Sequence, residues 1–190
     1  LDGRQTSTTL RAALDGFIEP GPWPRVPLDK LWFPFHPRRQ GVTVTRNVAY
    51  ATRGAGSLKL DVFTPKTPGT RQPAIIQIHG GAWVVGDKRE QGLPLLNHLA
   101  ANGWVGFNVN YRLSPKATFP EHLIDVKEAV AWVRAHAEEY GVDPDFIAVT
   151  GGSAGGHLAA MVALSPGLDR FQPGFEHADT SVQAAVLFYG

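Results

Sequence analysis

Apolar runs and helical stretches alternate along the chain from Ala74 onward, and this alternation limits the possible folds more than any other feature. Four short apolar runs predict strands at Ala74–Ile78, Trp104–Asn110, Phe146–Thr150 and Val182–Tyr189. The stretches between them predict helices at Arg89–Ala101, Pro120–Tyr140 and Ala154–Leu164. Buried strands separated by helices predict a mostly parallel α/β sheet with helices on both faces.

Two further strands are predicted nearer the start, at Val42–Tyr50 and Leu58–Phe63, on either side of a glycine-rich turn. Before them the composition changes. A short helix fits residues 8–16, and prolines interleaved with aromatic residues follow from Pro20 to Pro37. Proline blocks helices and central strands, so we interpret residues 1–41 as an N-terminal strap or cap-like segment. A linker to an upstream part is the alternative.

The segment Gly151-Gly152-Ser153-Ala154-Gly155-Gly156 joins a predicted strand to a predicted helix. It contains G-x-S-x-G, the pattern of a nucleophile elbow, in which a serine occupies a tight strand-to-helix turn. The flanking glycines allow strand and helix to pack closely where side chains would collide. The segment therefore predicts a nucleophilic Ser153, with an ordinary glycine-rich turn as the alternative.

A second glycine motif, His79-Gly80-Gly81-Ala82-Trp83, follows the predicted strand Ala74–Ile78. Backbone N–H groups of such a loop, together with that of the residue after the nucleophile, suit the oxyanion formed during acyl transfer. We therefore assign an oxyanion hole to the N–H groups of Gly81, Ala82 and Ala154. Both motifs leave the carboxyl ends of parallel strands, so we expect them at one edge of the sheet.

Together these motifs resemble H-G-G-G and G-D-S-A-G-G, the paired signatures of hormone-sensitive-lipase-like carboxylesterases in the α/β-hydrolase superfamily. Ala82 replaces the third glycine of the first signature, and Gly152 replaces the acidic residue of the second. H-G-G-x-W is also similar to arylformamidase-like and feruloyl-esterase-like relatives. Further similarity lies in Asn110–Pro115, Phe119-Pro120, Asp125, Trp132 and Gly141–Pro144.

The resemblance covers residues 42–190 and implies that they form the N-terminal portion of an α/β-hydrolase catalytic domain. It implies a serine hydrolase that cleaves small acyl or aryl esters through an acyl-enzyme on Ser153. We expect neither a cofactor nor a metal. An arylformamidase-like amide hydrolase is one alternative, and a non-catalytic binding protein on the same fold is the other. His79 and Gly80 are expected to support the oxyanion loop, with catalytic base as the alternative for His79. Trp83 either lines the substrate pocket or packs, and Asp125 is expected to be structural.

A serine nucleophile needs a histidine base and a carboxylate that orients it. In α/β-hydrolases both follow the serine, on later strand ends. His157 follows Ser153 too closely and is expected to pack locally. His177 and Asp169 have the right order but precede the last predicted strand, as do Glu176 and Asp179. We therefore expect the acid and base outside this chain, a C-terminally truncated fold, and no activity of these 190 residues alone.

The whole-chain composition excludes several other classes of function. With 18 basic and 17 acidic residues the net charge is +1, which gives no electrostatic basis for nucleic-acid binding. Hydrophobic content of 43% is typical of a soluble globular protein, and no apolar run reaches membrane-spanning length. A cytoplasmic location is favoured, with an upstream membrane anchor left open. The glycine-rich segment 151–156 lacks the Lys-Ser/Thr ending of a phosphate loop, which disfavours nucleotide binding. Three further histidines lack the spacing of metal ligands, which disfavours a metal site: His98, His122 and His136.

Overall fold

The computed structural model describes residues 41–54 and 56–190, so the predicted strap or cap-like segment 1–41 and its helix lie almost wholly outside the described residues. Six strands form one sheet in the order β1-β2-β4-β3-β5-β6. Their bounds are β1 Val42–Arg53, β2 Gly56–Pro65, β3 Gln72–Ile78, β4 Val105–Val109, β5 Val142–Gly152 and β6 Ala184–Phe188. Strands β4, β3, β5 and β6 run parallel, whereas β1 and β2 are antiparallel to their neighbours. The mostly parallel sheet is therefore confirmed.

Four helices connect these strands: α1 Leu93–Ala100, α2 Glu121–Ala135, α3 Ala137–Tyr140 and α4 Ala154–Leu164. A 3-10 turn follows at Asp169–Phe171. Helix α4 has the predicted bounds. None of the helices among the described residues is long and apolar enough to cross a membrane.

Two helix predictions were wrong at their ends. Helix α1 begins at Leu93 rather than Arg89, because Gly92 adopts a left-handed φ of 78° and Pro94 lies in the first turn. The predicted helix 120–140 breaks at His136, whose Nδ1 lies 2.8 Å from the Trp132 carbonyl oxygen. The backbone of His136, with φ of −103° and ψ of 18°, leaves helical geometry there, although its N–H still donates to the same carbonyl oxygen at 3.0 Å.

The helices cover both faces of the sheet, as predicted. Successive strand residues point to opposite faces, so neighbours on β3 belong to different layers. Ile76 packs in the larger core with residues of α2 and α4, including Leu123 and Leu158. Ile75 packs on the other face with Leu96 of α1.

Strands β3 and β5 lie side by side, with Ile78 opposite Gly151 in the parallel register. The chain leaves β3 at His79 and leaves β5 just before Ser153. Since both strands end at the same edge, the two glycine motifs meet there, as the sequence predicted.

Candidate active site

Ser153 lies between the end of β5 and the first residue of α4, in the strand–turn–helix context of a nucleophile elbow. Its φ of 54° and ψ of −125° are unusual for a residue that carries a side chain. Such backbone conformations cost about 1–3 kcal/mol and persist only where the surrounding structure enforces them. The side chain is exposed at the sheet edge.

The glycines around Ser153 are required by close backbone contacts. A Cβ on Gly155 would lie 2.2 Å from the carbonyl oxygen of Ile78, the last residue of β3. A Cβ on Gly151 would lie 2.5 Å from the carbonyl of Gly155. Both distances are far below any contact that real Cβ atoms make, so strand and helix pack here only because these positions lack side chains.

The loop after β3 passes directly against this turn. A Cβ on Gly80 would lie 2.7 Å from the Gly152 carbonyl oxygen and 3.4 Å from the Ser153 Cβ. The loop then turns through positive φ angles at Gly81 (116°) and Ala82 (51°). Ala82 therefore adopts the left-handed conformation at the position of the third glycine in the H-G-G-G signature that this motif resembles.

Hydrogen bonds within the loop leave selected N–H groups available. The Gly81 carbonyl accepts from the N–H groups of Val84 and Val85, both at 3.0 Å. The Gly80 N–H donates to Gln91 Oε1 at 2.9 Å. In the part of the chain that the structure describes, no acceptor takes a hydrogen bond from the N–H groups assigned to the oxyanion hole: Gly81, Ala82 and Ala154.

His79 lies beneath the loop, where 1% of its surface is exposed. Its Nδ1–H donates to the Gly80 carbonyl oxygen at 2.7 Å, and its ring stacks on Tyr111 at 4.4 Å. The Tyr111 hydroxyl in turn donates to the His79 carbonyl oxygen at 3.0 Å. Burial lowers the pKa of His79, which keeps the ring neutral at neutral pH. These contacts are those of a residue that supports the loop.

The far end of the loop is held by residues that the sequence analysis missed. Lys88 is buried, and its Nζ lies 2.5 Å from Asp61 Oδ1 on β2. The amide of Asn108 on β4 donates to the carbonyl oxygens of Lys88 and Gln91. Helical periodicity was the wrong signal for residues 89–92. The informative signal was Asp61, a carboxylate between the buried residues Leu60 and Val62 of β2, which requires a cationic partner.

A cavity of ≈ 480 Å³ opens beside the two motifs. One side is formed by Ala82 and Trp83 of the loop after β3, and another by His157, Leu158 and Met161 of α4. The Trp83 ring also packs edge-on against His157, with centroids 5.3 Å apart. Trp83 therefore both lines the cavity and packs, the two alternatives that the sequence left open.

The structure brings no base to Ser153 from the residues it describes. Within 41–54 and 56–190, no side chain hydrogen-bonds to the Ser153 hydroxyl, and His177 and Asp169 form no pair with each other. His157 uses its backbone N–H to bind the Ser153 carbonyl oxygen at 2.9 Å, and its ring packs locally, as expected.

The remaining acids singled out in the sequence have local partners. The Glu176 carboxylate accepts from the Gly174 N–H, and the Asp179 carboxylate from the Ser181 N–H, both at 2.8 Å. Asp125 is fully buried and accepts two hydrogen bonds from the Arg112 guanidinium, each at 2.8 Å. It ties the segment after β4 to α2, which is the structural role expected of it. Across the described residues, no group of three or more histidine and acidic side chains is arranged to hold a metal ion.

Comparison with known proteins gives a consistent set of similarities. The sequence model of the BD-FAE family matches residues 60–190. The chain is 64% identical over 118 residues to the probable carboxylic ester hydrolase LipM of Mycobacterium tuberculosis, covering 62% of this chain and 27% of LipM. It is 47% identical over 156 residues to the esterase LipQ of the same organism, covering 81% of this chain and 37% of LipQ.

Among solved structures, the fold is similar to native esterase Est2 of Thermogutta terrifontis, with a TM-score of 0.67 and 34% identity. That match covers 77% of this chain and 52% of Est2. The chain spans about a third of the length of the two curated relatives.

Proposed function

Because the chain belongs to the BD-FAE family and has an α/β-hydrolase fold, we propose that it carries the nucleophile and oxyanion hole of a serine hydrolase that cleaves carboxylic esters. Ester cleavage is preferred over amide cleavage because LipM and LipQ are named as an ester hydrolase and an esterase.

The observation that carries this proposal is the strained, exposed Ser153 beside three available N–H groups. A protein that only binds ligands has no use for a serine held at φ 54° and ψ −125°. Strain of this kind is concentrated at functional sites, where it fixes a reacting group in position.

In the proposed reaction, the Ser153 Oγ attacks the ester carbonyl carbon and its proton passes to a general base. The N–H groups of Gly81, Ala82 and Ala154 stabilise the oxyanion of the tetrahedral intermediate. The alcohol then leaves with a proton, and water releases the acyl group from Ser153. Loss of one such donor typically reduces turnover by about 10²–10³.

The proposal assigns the general base and its carboxylate partner to residues outside those described. Neither His157 nor His177 is hydrogen-bonded to the Ser153 hydroxyl, and His79 donates to Gly80 instead. Without a base, a serine hydroxyl is a weak nucleophile at neutral pH.

The cavity supports small acyl or aryl esters as the substrate class. Its volume of ≈ 480 Å³ lies within the range of small-molecule sites, and Trp83, Leu158 and Met161 give it apolar walls. An aryl or short alkyl group fits such walls, while the ester carbonyl stays near Ala82 at the oxyanion loop.

The test is to purify the protein from its complete reading frame and treat it with a fluorophosphonate probe and with p-nitrophenyl acetate. We expect probe labelling on Ser153 and ester turnover, with Ser153→Ala removing both. Ser181→Ala is the matched control, because Ser181 precedes β6, away from the elbow, and its hydrogen bonds are to Arg134 and Asp179.

Two outcomes would contradict the proposal in different ways. Absence of labelling and turnover in the folded wild-type protein would favour the non-catalytic alternative. Faster cleavage of 4-nitroacetanilide than of p-nitrophenyl acetate would favour the amide hydrolase.

A further inference from the structure

His122 is a buried polar residue at the cavity wall that the proposed reaction does not use. It lies in the first turn of α2, and 4% of its surface is exposed. The cavity that it lines is also lined by Ala82 of the loop after β3 and by His157 of α4. His157 lies one helical turn after Ser153, about 6 Å along the helix axis. A group attached to an ester bound at Ser153 therefore extends into this cavity, of which His122 forms part of the wall.

The hydrogen-bond network assigns the tautomer of His122. The Ser114 hydroxyl donates its single proton to the Ala117 carbonyl oxygen at 2.9 Å. His122 Nε2 lies 3.4 Å from the same hydroxyl oxygen, which has only lone pairs left to offer. With the hydroxyl proton committed to Ala117, this contact is favourable only when Nε2 carries the proton, so we assign that tautomer, which leaves Nδ1 as an acceptor.

The Nδ1 atom is the open end of this network. Among the described residues Nδ1 has no hydrogen-bond partner. It is also absent from the fully buried side-chain polar atoms that lack a partner, so it is not fully buried. It therefore keeps some solvent access, and the cavity is the open space that the structure describes beside His122. Burial lowers the pKa of His122 despite the nearby carboxylates of Asp125 and Glu121, so the ring is neutral and Nδ1 retains its lone pair.

The surroundings of this acceptor are mainly apolar, with Trp83, Phe119 and Met161 among the lining residues. An apolar substrate group would displace water from Nδ1 and leave a buried acceptor unsatisfied, which is unfavourable. A substrate group that carries a hydroxyl would replace that water with its own hydrogen bond. The site therefore discriminates between two substrate groups of the same size and shape when only one of them carries a hydrogen-bond donor.

We propose that His122 Nδ1 accepts a hydrogen bond from a hydroxyl on the part of the ester that enters this cavity, so that hydroxylated aryl or alkyl esters are the preferred substrates. This specificity rests on the proposed ester hydrolysis at Ser153. It adds a residue of α2 to a site built from the oxyanion loop and α4.

The experiment measures binding separately from turnover. In a Ser153→Ala background of the complete protein, binding of two matched ester pairs is measured by calorimetry. The acyl-side pair is ethyl 3-(4-hydroxyphenyl)propanoate and ethyl 3-phenylpropanoate. The alcohol-side pair is 2-(4-hydroxyphenyl)ethyl acetate and 2-phenylethyl acetate. We expect the hydroxylated member of at least one pair to bind about three- to tenfold more tightly, the range of one neutral hydrogen bond.

Three substitutions in the same background identify the acceptor. His122→Phe should abolish the preference, and His122→Asn should retain part of it, since the amide oxygen can occupy the place of Nδ1. Thr118→Val, which changes another polar residue of the cavity lining, should leave the preference intact. Circular dichroism is used to check that each variant is folded. The two His122 variants test the acceptor independently, so failure of one to fold leaves the other as the test.

Equal binding within both pairs, or a preference that survives His122→Phe, would overturn the inference. Loss of the preference in Thr118→Val but not in His122→Phe would also overturn it. Wild-type turnover of the same esters is measured in parallel and tests only the proposed function. Binding preference without turnover would thus support the role of His122 while rejecting ester hydrolysis.

Discussion

Removal of the buried lysine that anchors the oxyanion loop should destabilise the protein. Lys88 Nζ lies 2.5 Å from Asp61 Oδ1, and the side chains are 3% and 1% exposed. Breaking a buried ion pair by removing one partner typically costs about 3–5 kcal/mol, because the other charge stays buried. In Lys88→Met, Asp61 would keep the Asn47 N–H at 2.8 Å and the half-exposed Arg46 at 3.6 Å. We therefore expect the lower end of that range, about 3 kcal/mol.

Urea unfolding of the complete protein measures this change as a loss of unfolding free energy. In Asp61→Asn/Lys88→Met no charge is left buried, so the double variant should be more stable than Lys88→Met alone, and the double-mutant cycle gives the coupling directly. Arg71→Met is the matched control, because Arg71 pairs with Asp143 and Asp145 at an exposed site and should contribute little.

The same variant tests whether the anchor holds the oxyanion loop in place. At a temperature where Lys88→Met remains folded, we expect its turnover of p-nitrophenyl acetate to fall by about 10–10², a part of what losing a donor costs. A destabilisation below about 1 kcal/mol, with no coupling to Asp61, would refute the reasoning about the buried pair.

Two further predictions concern the elbow and its helix. Gly155→Ala should abolish fluorophosphonate labelling of Ser153, because the added Cβ would lie 2.2 Å from the Ile78 carbonyl oxygen. Gly56→Ala is the control and should label normally, because its Cβ meets only Arg53, at 3.6 Å. Labelling of both variants would contradict the prediction. Burial lowers the pKa of Lys127, which donates to the Ser165 carbonyl after α4, from 10.5 to about 8. Between about pH 8 and 10.5 the unfolded chain then binds more protons than the folded protein, so the unfolding free energy of the wild type should rise relative to that of Lys127→Met. Urea unfolding of both proteins across this pH range measures the change. A difference in unfolding free energy that does not vary with pH would contradict the prediction.

The sequence by itself determined the features that depend on neighbouring residues. Apolar runs such as Ala74–Ile78 and the helical stretches between them determined the type and order of the elements. Right-handed crossovers determined the edge at which Ser153 and the loop after β3 meet. The elbow was predicted with its helix bounds because glycine spacing around the serine is itself a local signal.

Only the tertiary structure decided the contacts between distant segments. Lys88 reaches Asp61 on β2, and Gln91 folds back to the Gly80 N–H, so residues that resembled the start of a helix became part of a loop. His122 showed no ligand spacing in the sequence, and its open acceptor depends on Ser114 and on the cavity beside α4. Periodicity reports which face of an element is apolar, whereas ion pairs, tautomers and cavities depend on which elements pack together in space.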